Sequence, residues 1–269
     1  MTDREEKRLR RTLVRALRAG GGLLRAGLGR TSYTFKDEGH ANVVTPVDLA
    51  SEQAVLDEIA GSFPRHDFLT EEREARRTGS DWLWVIDPLD GTLNYAHGVP
   101  VSCVSIALLR EGKPFLGGVY DPFREELFLA RSGGGATLNG RRLAVSRVPS
   151  LSRALVVVGF PYDRNRRASL YGGLTRDCLR LVQDLRRSGS AALDLSWVAA
   201  GRYDGYWEFN LKPWDVAAGR LLIQEAGGKV TDFSGKPWGP VDVYGRQTLG
   251  SNGRVHRELL RLLERVKDR

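Results

Sequence analysis

The sequence predicts a layered α/β (α+β) protein of two subdomains meeting at a cleft, and three observations carry that expectation. Strand-like apolar runs crowd the first half, between positions 67 and 145. From Leu151 onward strand-like and helix-like segments alternate. The pattern changes near Pro149, so 1–149 and 150–269 read as a sheet-rich and a βα-alternating subdomain of one compact unit. At 269 residues and 41% hydrophobic content the chain has the material for a substantial core.

Taken in order, 5–26 places Leu9, Leu13, Leu17 and Leu24 at helical spacing with a polar, basic back. Gly20, Gly21 and Gly22 interrupt that stripe, which favours a helix packed on the domain over one lying on a membrane surface. A second helix begins at Thr45: Thr45 suits the N-cap, Pro46 the first helical position, and Asp48 completes a capping box. Leu49, Leu56, Ile59 and Phe63 then trace a face until Gly61 and Pro64 end it. Strands are expected at 67–70, 82–86, 102–109, 117–120 and 126–130, and Asn139-Gly140 reads as a tight hairpin turn between 136–138 and 143–145. Beyond Leu151 the expected order is strand 154–159, long helix 166–185, short helix 191–200, strand 203–209, helix 213–226, a further strand and a closing helix 254–267.

The net charge of +8 comes mostly from arginine, dense at 8–18, 164–167 and 186–187. Steering of phosphorylated substrates, nucleic-acid binding and solvated helix faces all fit such patches. The charged start of the chain and the lack of an apolar run of roughly 18 residues argue for a soluble protein without a signal peptide. Two cysteines, Cys103 and Cys178, make neither a disulfide framework nor a zinc spacing, which fits a reducing cytoplasm. His40, His66, His97 and His256 are scattered and suit structural roles. Gly133 to Gly135 do not make a dinucleotide loop, because Leu138 takes the place of its last glycine.

Chemistry concentrates in the stretch from Trp82 to Tyr95. An apolar strand delivers Asp87 and Asp90, and Pro88 and Gly91 turn the backbone there. Mg2+ is a hard ion that takes carboxylate, carbonyl and water oxygens, so Asp87, Asp90 and the Leu89 carbonyl are candidate ligands for a pair of ions. The N–H groups of Gly91 and Thr92 open a helical turn suited to phosphate, and the Thr92 hydroxyl is placed to bond a water. An ordinary Asp-Pro-Gly turn is the plain alternative. Glu71 and Glu72 end the strand before this one, and Asp215 opens a helix after Pro213-Trp214. Alone, the first two read equally well as solvated acids and the third as a favourable charge at a helix start.

Together these segments resemble the inositol monophosphatase family. Glu71-Glu72, the run from Trp84 to Tyr95, and the run from Pro213 to Gly219 stand in the family's order. Val44 to Asp48 with Glu52, the Asn139-Gly140 hairpin, the run from Gly189 to Ala192, and Gly227-Gly228 extend the likeness over essentially the whole chain. Leu93, where many relatives carry Thr, and the Ser190 hydroxyl depart from the pattern near the alcohol. The resemblance implies a layered αβαβα sandwich of the sugar-phosphatase type with its site between the subdomains. It implies that Glu71, Asp87, the Leu89 carbonyl, Asp90 and Asp215 hold two or three Mg2+ ions, Asp215 also lying beside the substrate. Gly91 and Thr92 would contact phosphate, Asp48 and Thr92, with Glu71, would activate water, and Glu208, Gly189, Ser190 and Ala191 would line the alcohol pocket.

The implied reaction is hydrolysis of a small polyol phosphate, inositol monophosphate foremost, by direct attack of water without a phospho-enzyme. Lithium sensitivity and a homodimer are implied as well. Histidinol phosphate, sugar bisphosphates and adenosine phosphates are alternative substrates within the superfamily. A haloacid-dehalogenase phosphatase is disfavoured, because its two aspartates stand two apart whereas Asp87 and Asp90 stand three apart. Some bacterial relatives associate with RNA polymerase or ribosomal RNA machinery, and a nucleic-acid partner is the reading from a different class.

Overall fold

Helix, sheet, helix, sheet and helix layers stack in that order in the computed structural model, which describes residues 2–38 and 41–264. The first half comprises helix α1 (Asp3–Gly27), ribbon strands β1 (Thr34–Phe35) and β2 (Val43–Val44), and α2 (Pro46–Ser62). β3 (Asp67–Thr70), β4 (Trp82–Asp90), the short α3 (Thr92–Ala96), β5 (Cys103–Arg110), β6 (Lys113–Asp121), β7 (Glu126–Arg131), β8 (Gly135–Leu138) and β9 (Arg141–Arg142) follow. The second half runs β10 (Leu155–Val158), α4 (Ala168–Leu179), β11 (Asp184–Arg186), α5 (Ala191–Ala199), β12 (Gly205–Phe209), α6 (Pro213–Glu225), β13 (Lys229–Thr231), β14 (Gln247–Ser251) and α7 (His256–Leu263).

Strands β3 to β9 form one sheet in sequence order, antiparallel except for the parallel β3/β4 pair. The second sheet has the order β11-β10-β12-β14-β13, parallel on the β11 side and antiparallel on the β13 side. Helices α1 and α2 cover the outer face of the first sheet, α4 and α7 that of the second, and α5 and α6 fill the space between. On β5 the alternation is plain. Val104, Ile106 and Leu108 face α1 and α2, whereas Cys103, Ala107 and Leu109 face the middle layer. A strand buried on both faces reads as a continuous apolar run.

Four expectations change. Helix α1 spans Gly20 to Gly22 as expected, but the buried stripe is not interrupted there: Gly20 and Gly21 are themselves buried, and their missing side chains permit close packing. A Cβ on Gly21 would lie 2.4 Å from the Tyr120 ring, and one on Gly20 2.6 Å from the Ser51 hydroxyl. On α2, Leu49 is 48% exposed, and the buried face begins instead with Asp48, Ser51 and Glu52. The helix expected over 166–185 stops at Leu179, and Asp184 to Arg186 pair in parallel with Leu155 to Val157, which completes the sheet edge. Strand β4 runs on to Asp90 rather than ending at Ile86.

The Asn139-Gly140 turn is as expected, with both residues at positive φ (49° and 81°), but the returning strand β9 is Arg141–Arg142, directly after the turn, rather than 143–145. Gly133 and Gly135 donate their N–H groups to Glu225 of α6, a structural use of that glycine run. His66 stacks on Trp82 and accepts from the Trp84 indole, His256 bonds Ser251 and Thr231, and His97 packs beside Tyr33; His40 lies outside the described residues. The closing helix is described through Leu263, its expected end lying beyond the described residues. Cys103 and Cys178 are free and buried, and no described helix is long and apolar enough to cross a membrane.

Candidate metal and phosphate site

The site starts from an irregularity in β4. Leu83 and Val85 face the middle layer and Trp84 and Ile86 face α1 and α2, so Asp87 points inward toward α5 and α6. Strict alternation would send Asp90 the other way. Pairing with β5 instead steps from Asp87↔Ser105 to Asp90↔Cys103, three residues against two, so the bulge at Pro88-Leu89 returns Asp90 to the Asp87 face. The Leu89 side chain is left in the outer core, and its carbonyl accepts from the Thr92 hydroxyl at 2.9 Å.

Two helix starts meet these acids. Asp90 Oδ2 accepts from the Ala192 N–H at 2.7 Å and from the Ser190 hydroxyl at 2.5 Å, at the beginning of α5. Asp215, in the first turn of α6, accepts from the Lys212 N–H at 2.7 Å, its aspartate completing the cap that Pro213 introduces. Asp87, Asp90 and Asp215 each bring a carboxylate oxygen within 4.8 Å of the others. Glu71, just past β3, stands beside this trio within electrostatic reach, and the Lys36 ammonium holds it at 2.8 Å. Glu72 pairs with the same lysine.

The N-terminal half of α2 braces the other side. Asp48 closes the capping box on Thr45 and accepts from the Thr92 hydroxyl at 3.0 Å. Ser51 donates to the Pro88 carbonyl at 2.7 Å, fixing the bulge, and Glu52 accepts from the Thr70 hydroxyl and the Glu72 N–H, fixing the end of β3. This explains why the buried start of α2 is polar. Gly91, at φ 89°, has the Val101 carbonyl where a Cβ would be, 2.7 Å away, so only glycine fits the turn into α3. Asn94 of α3 donates to the carbonyls of Val101 and Ser188, tying that turn to the segment before α5.

A single cleft opens beside the acids. Glu71, Asp90, Gly91, Thr92, Gly189, Ala191, Glu208 and Asp215 all line it, with Leu93, Tyr162, Arg164, Arg187 and Asp194 added. The Ser190 hydroxyl is turned away from the cleft, committed to Asp90. The pattern reading missed Lys36, Ser51, Tyr162 and Asp194, since none carries a local signature and each is placed only by folding; Arg164 and Arg187 come from the basic patches at 164–167 and 186–187.

Burial, with mutual repulsion adding to it, pushes Asp87 and Asp215 well above the usual carboxylate range and raises Glu71. Burial raises Asp90 as well, against the hydrogen bonds from Ser190 and α5. Burial also lifts Asp48 to about 6 and Glu208 to about 7, the latter held by the Tyr206 hydroxyl at 2.5 Å. Two buried carboxylates, Asp87 and Asp90, and two half-buried ones, Glu71 and Asp215, beside one lysine form an all-oxygen donor set with excess negative charge, which suits a hard divalent cation.

The sequence profile of the inositol monophosphatase family matches residues 5–268. The chain belongs to the inositol monophosphatase family. Similar proteins include the Nus factor SuhB of Pseudomonas aeruginosa, 46% identical over 82% of this chain and 84% of that protein. The inositol-1-monophosphatase of a Synechocystis species is 44% identical over 85% of this chain and 79% of its own length. A solved IMPase/NADP phosphatase complexed with Mg2+ and phosphate superposes with a TM-score of 0.82 at 27% identity, covering 95% of each chain. The layered sandwich of this inositol monophosphatase family member is therefore the family's fold, as the resemblance implied.

Proposed function

We propose that this family member is a Mg2+-dependent phosphatase that hydrolyses a small polyol phosphate monoester, inositol monophosphate foremost. The observation that carries the reading is the convergence of Asp87, Asp90 and Asp215 from the two halves of the chain beside a cleft that Glu208 also lines. Glu71, Asp87, the Leu89 carbonyl, Asp90 and Asp215 would hold two or three Mg2+ ions. When bound, such ions neutralise phosphoryl oxygens, acidify water and stabilise a leaving oxygen.

The chain's own groups supply the rest. Gly91 and Thr92 line the cleft at the start of α3, where their N–H groups would receive phosphate oxygens. The Thr92 hydroxyl, bonded to Asp48, passes the proton of the attacking water to that carboxylate, whose value of about 6 suits a base near neutral pH. Glu208 accepts a hydroxyl of the alcohol, Gly189 and Ala191 shape the wall, and Ser190 fixes Asp90 from behind. A phosphate-release panel of inositol, histidinol, fructose and adenosine phosphates, with Mg2+ and with chelator, tests this. Inositol monophosphate should lead, lithium should inhibit, and chelator should stop turnover; release unaffected by chelator would refute the metal assignment.

That the Pseudomonas relative is a Nus factor favours a second, compatible role in transcription. Electrophoretic shift with nucleic acid at moderate salt checks it, binding that persists as salt rises supporting a dedicated surface.

A further inference from the structure

Two buried acids line the cleft outside the Asp87, Asp90 and Asp215 trio. Asp194, in the first turn of α5, is 1% exposed, and Glu208, on β12, is 8% exposed. Among the described residues each has one hydrogen-bonded oxygen and no ion pair: Ser188 donates to Asp194 Oδ1 and Tyr206 to Glu208 Oε2. Among the described residues their second oxygens accept no hydrogen bond, and both open on the cleft. The two acids lie within electrostatic reach of one another, with Arg187 near both. Gly159 keeps the space beside Glu208 clear, since a Cβ there would fall 1.7 Å from Glu208 Oε2.

A carboxylate oxygen that opens only on a narrow cleft keeps its acceptor capacity for water or for a ligand hydroxyl. Two such acids in one recess offer acceptors for two hydroxyl donors of one alcohol. We propose that Asp194 and Glu208 together read a vicinal diol on the alcohol portion of the substrate, with Asp194 as a specificity-determining residue beside Glu208. The proposal rests on the polyol phosphate reading and narrows its substrate class. The competing role for Asp194 is a prop for Ser188 and the turn at Gly189.

The experiment measures kcat/KM for inositol monophosphate, or whichever polyol phosphate leads the panel, and for its monodeoxy analogues. In the wild type, removal of either of two adjacent hydroxyls should each cost about tenfold or more. A penalty at one position only, or at none, would overturn the pairing while leaving the phosphatase reading intact. Asp194→Asn should shrink one of the two penalties to within about threefold, as a double-mutant cycle between residue and hydroxyl requires. Ser188→Ala, which removes the prop but keeps the carboxylate, should preserve both penalties; their loss there would assign Asp194 to the turn instead. If Asp194→Asn does not fold, the wild-type series alone decides. No release from any polyol phosphate would remove the phosphatase reading and this pairing with it.

Discussion

The Asp90 carboxylate meets three segments at once: the β4 bulge that carries it, the start of α5 that donates to it, and the trio it completes with Asp87 and Asp215. Asp90→Asn should lower kcat by at least about a hundredfold while far-UV circular dichroism stays native, since loss of a ligand costs no less than loss of its supporting partners. Near-normal activity across a Mg2+ titration would remove Asp90 from the metal site. Asp87→Asn separates stability from activity. Asp87 is raised by burial and by three neighbouring acids, so neutralising it should raise the melting temperature of chelator-treated protein by a few degrees, roughly what 1 kcal/mol of relieved repulsion gives a chain of this size. The same variant should lose most of the stabilisation that added Mg2+ confers. Asp87 and Asp90 were legible as candidates, but their common direction was not, because it depends on a bulge defined only by pairing with β5.

At the scale of single elements, α1 shows how one residue type acts in opposite ways within three positions. Gly21 faces the Tyr120 ring and Gly22 faces open space. Gly21→Ala should destabilise by about 1–3 kcal/mol through overpacking, despite alanine's better helix propensity. Gly22→Ala should stabilise by about 0.5–1 kcal/mol, because only propensity and chain entropy are at stake. Urea unfolding of both variants measures the contrast, and equal shifts would refute the packing account. The capping box of α2 was readable, since Thr45, Pro46 and Asp48 act locally. The polar buried face behind it was not: Ser51 and Glu52 are buried because Pro88 and Thr70 come to them from elsewhere in the chain. The run 180–186 shows the converse, a helix-like pattern overridden by a strand partner at a sheet edge.

For the whole molecule, α5 and α6 serve both sheets, so the central core crosses the change of pattern near Pro149. The first sheet cut from the second would expose the face that these helices cover. The two halves should therefore unfold in one transition, followed identically by circular dichroism and by loss of activity; separate midpoints would show independent subdomains. The acid cluster sets a pH dependence for the metal-free protein. Glu71, Asp87, Asp90 and Asp215 are raised in the fold, with Asp48 about 6 and Glu208 about 7, so over this range the folded state binds more protons than the unfolded. Their combined contribution should weaken stability as pH rises above about 4, where the unfolded carboxylates ionise, with Asp48 and Glu208 adding to that loss up to about 6 and 7. Saturating Mg2+ should flatten that slope, which thermal unfolding at several pH values measures. Gel filtration checks whether the protein is the homodimer that the family resemblance implies.

By itself the sequence determined the helical and strand character of most segments, the turn at Asn139-Gly140, the capped start of α2 and the acids on which the proposed chemistry rests. These follow from short-range rules: periodicity, capping, and turn residues with allowed φ. Tertiary structure decided which faces are buried, where the long helix gives way to β11, and how Asp87, Asp90 and Asp215 come within 4.8 Å. It also decided that Ser190 serves Asp90 while Asp194 joins Glu208 on the cleft wall. The physical reason is that strand register, layer packing and burial depend on partners distant in the chain, whose positions no local pattern encodes.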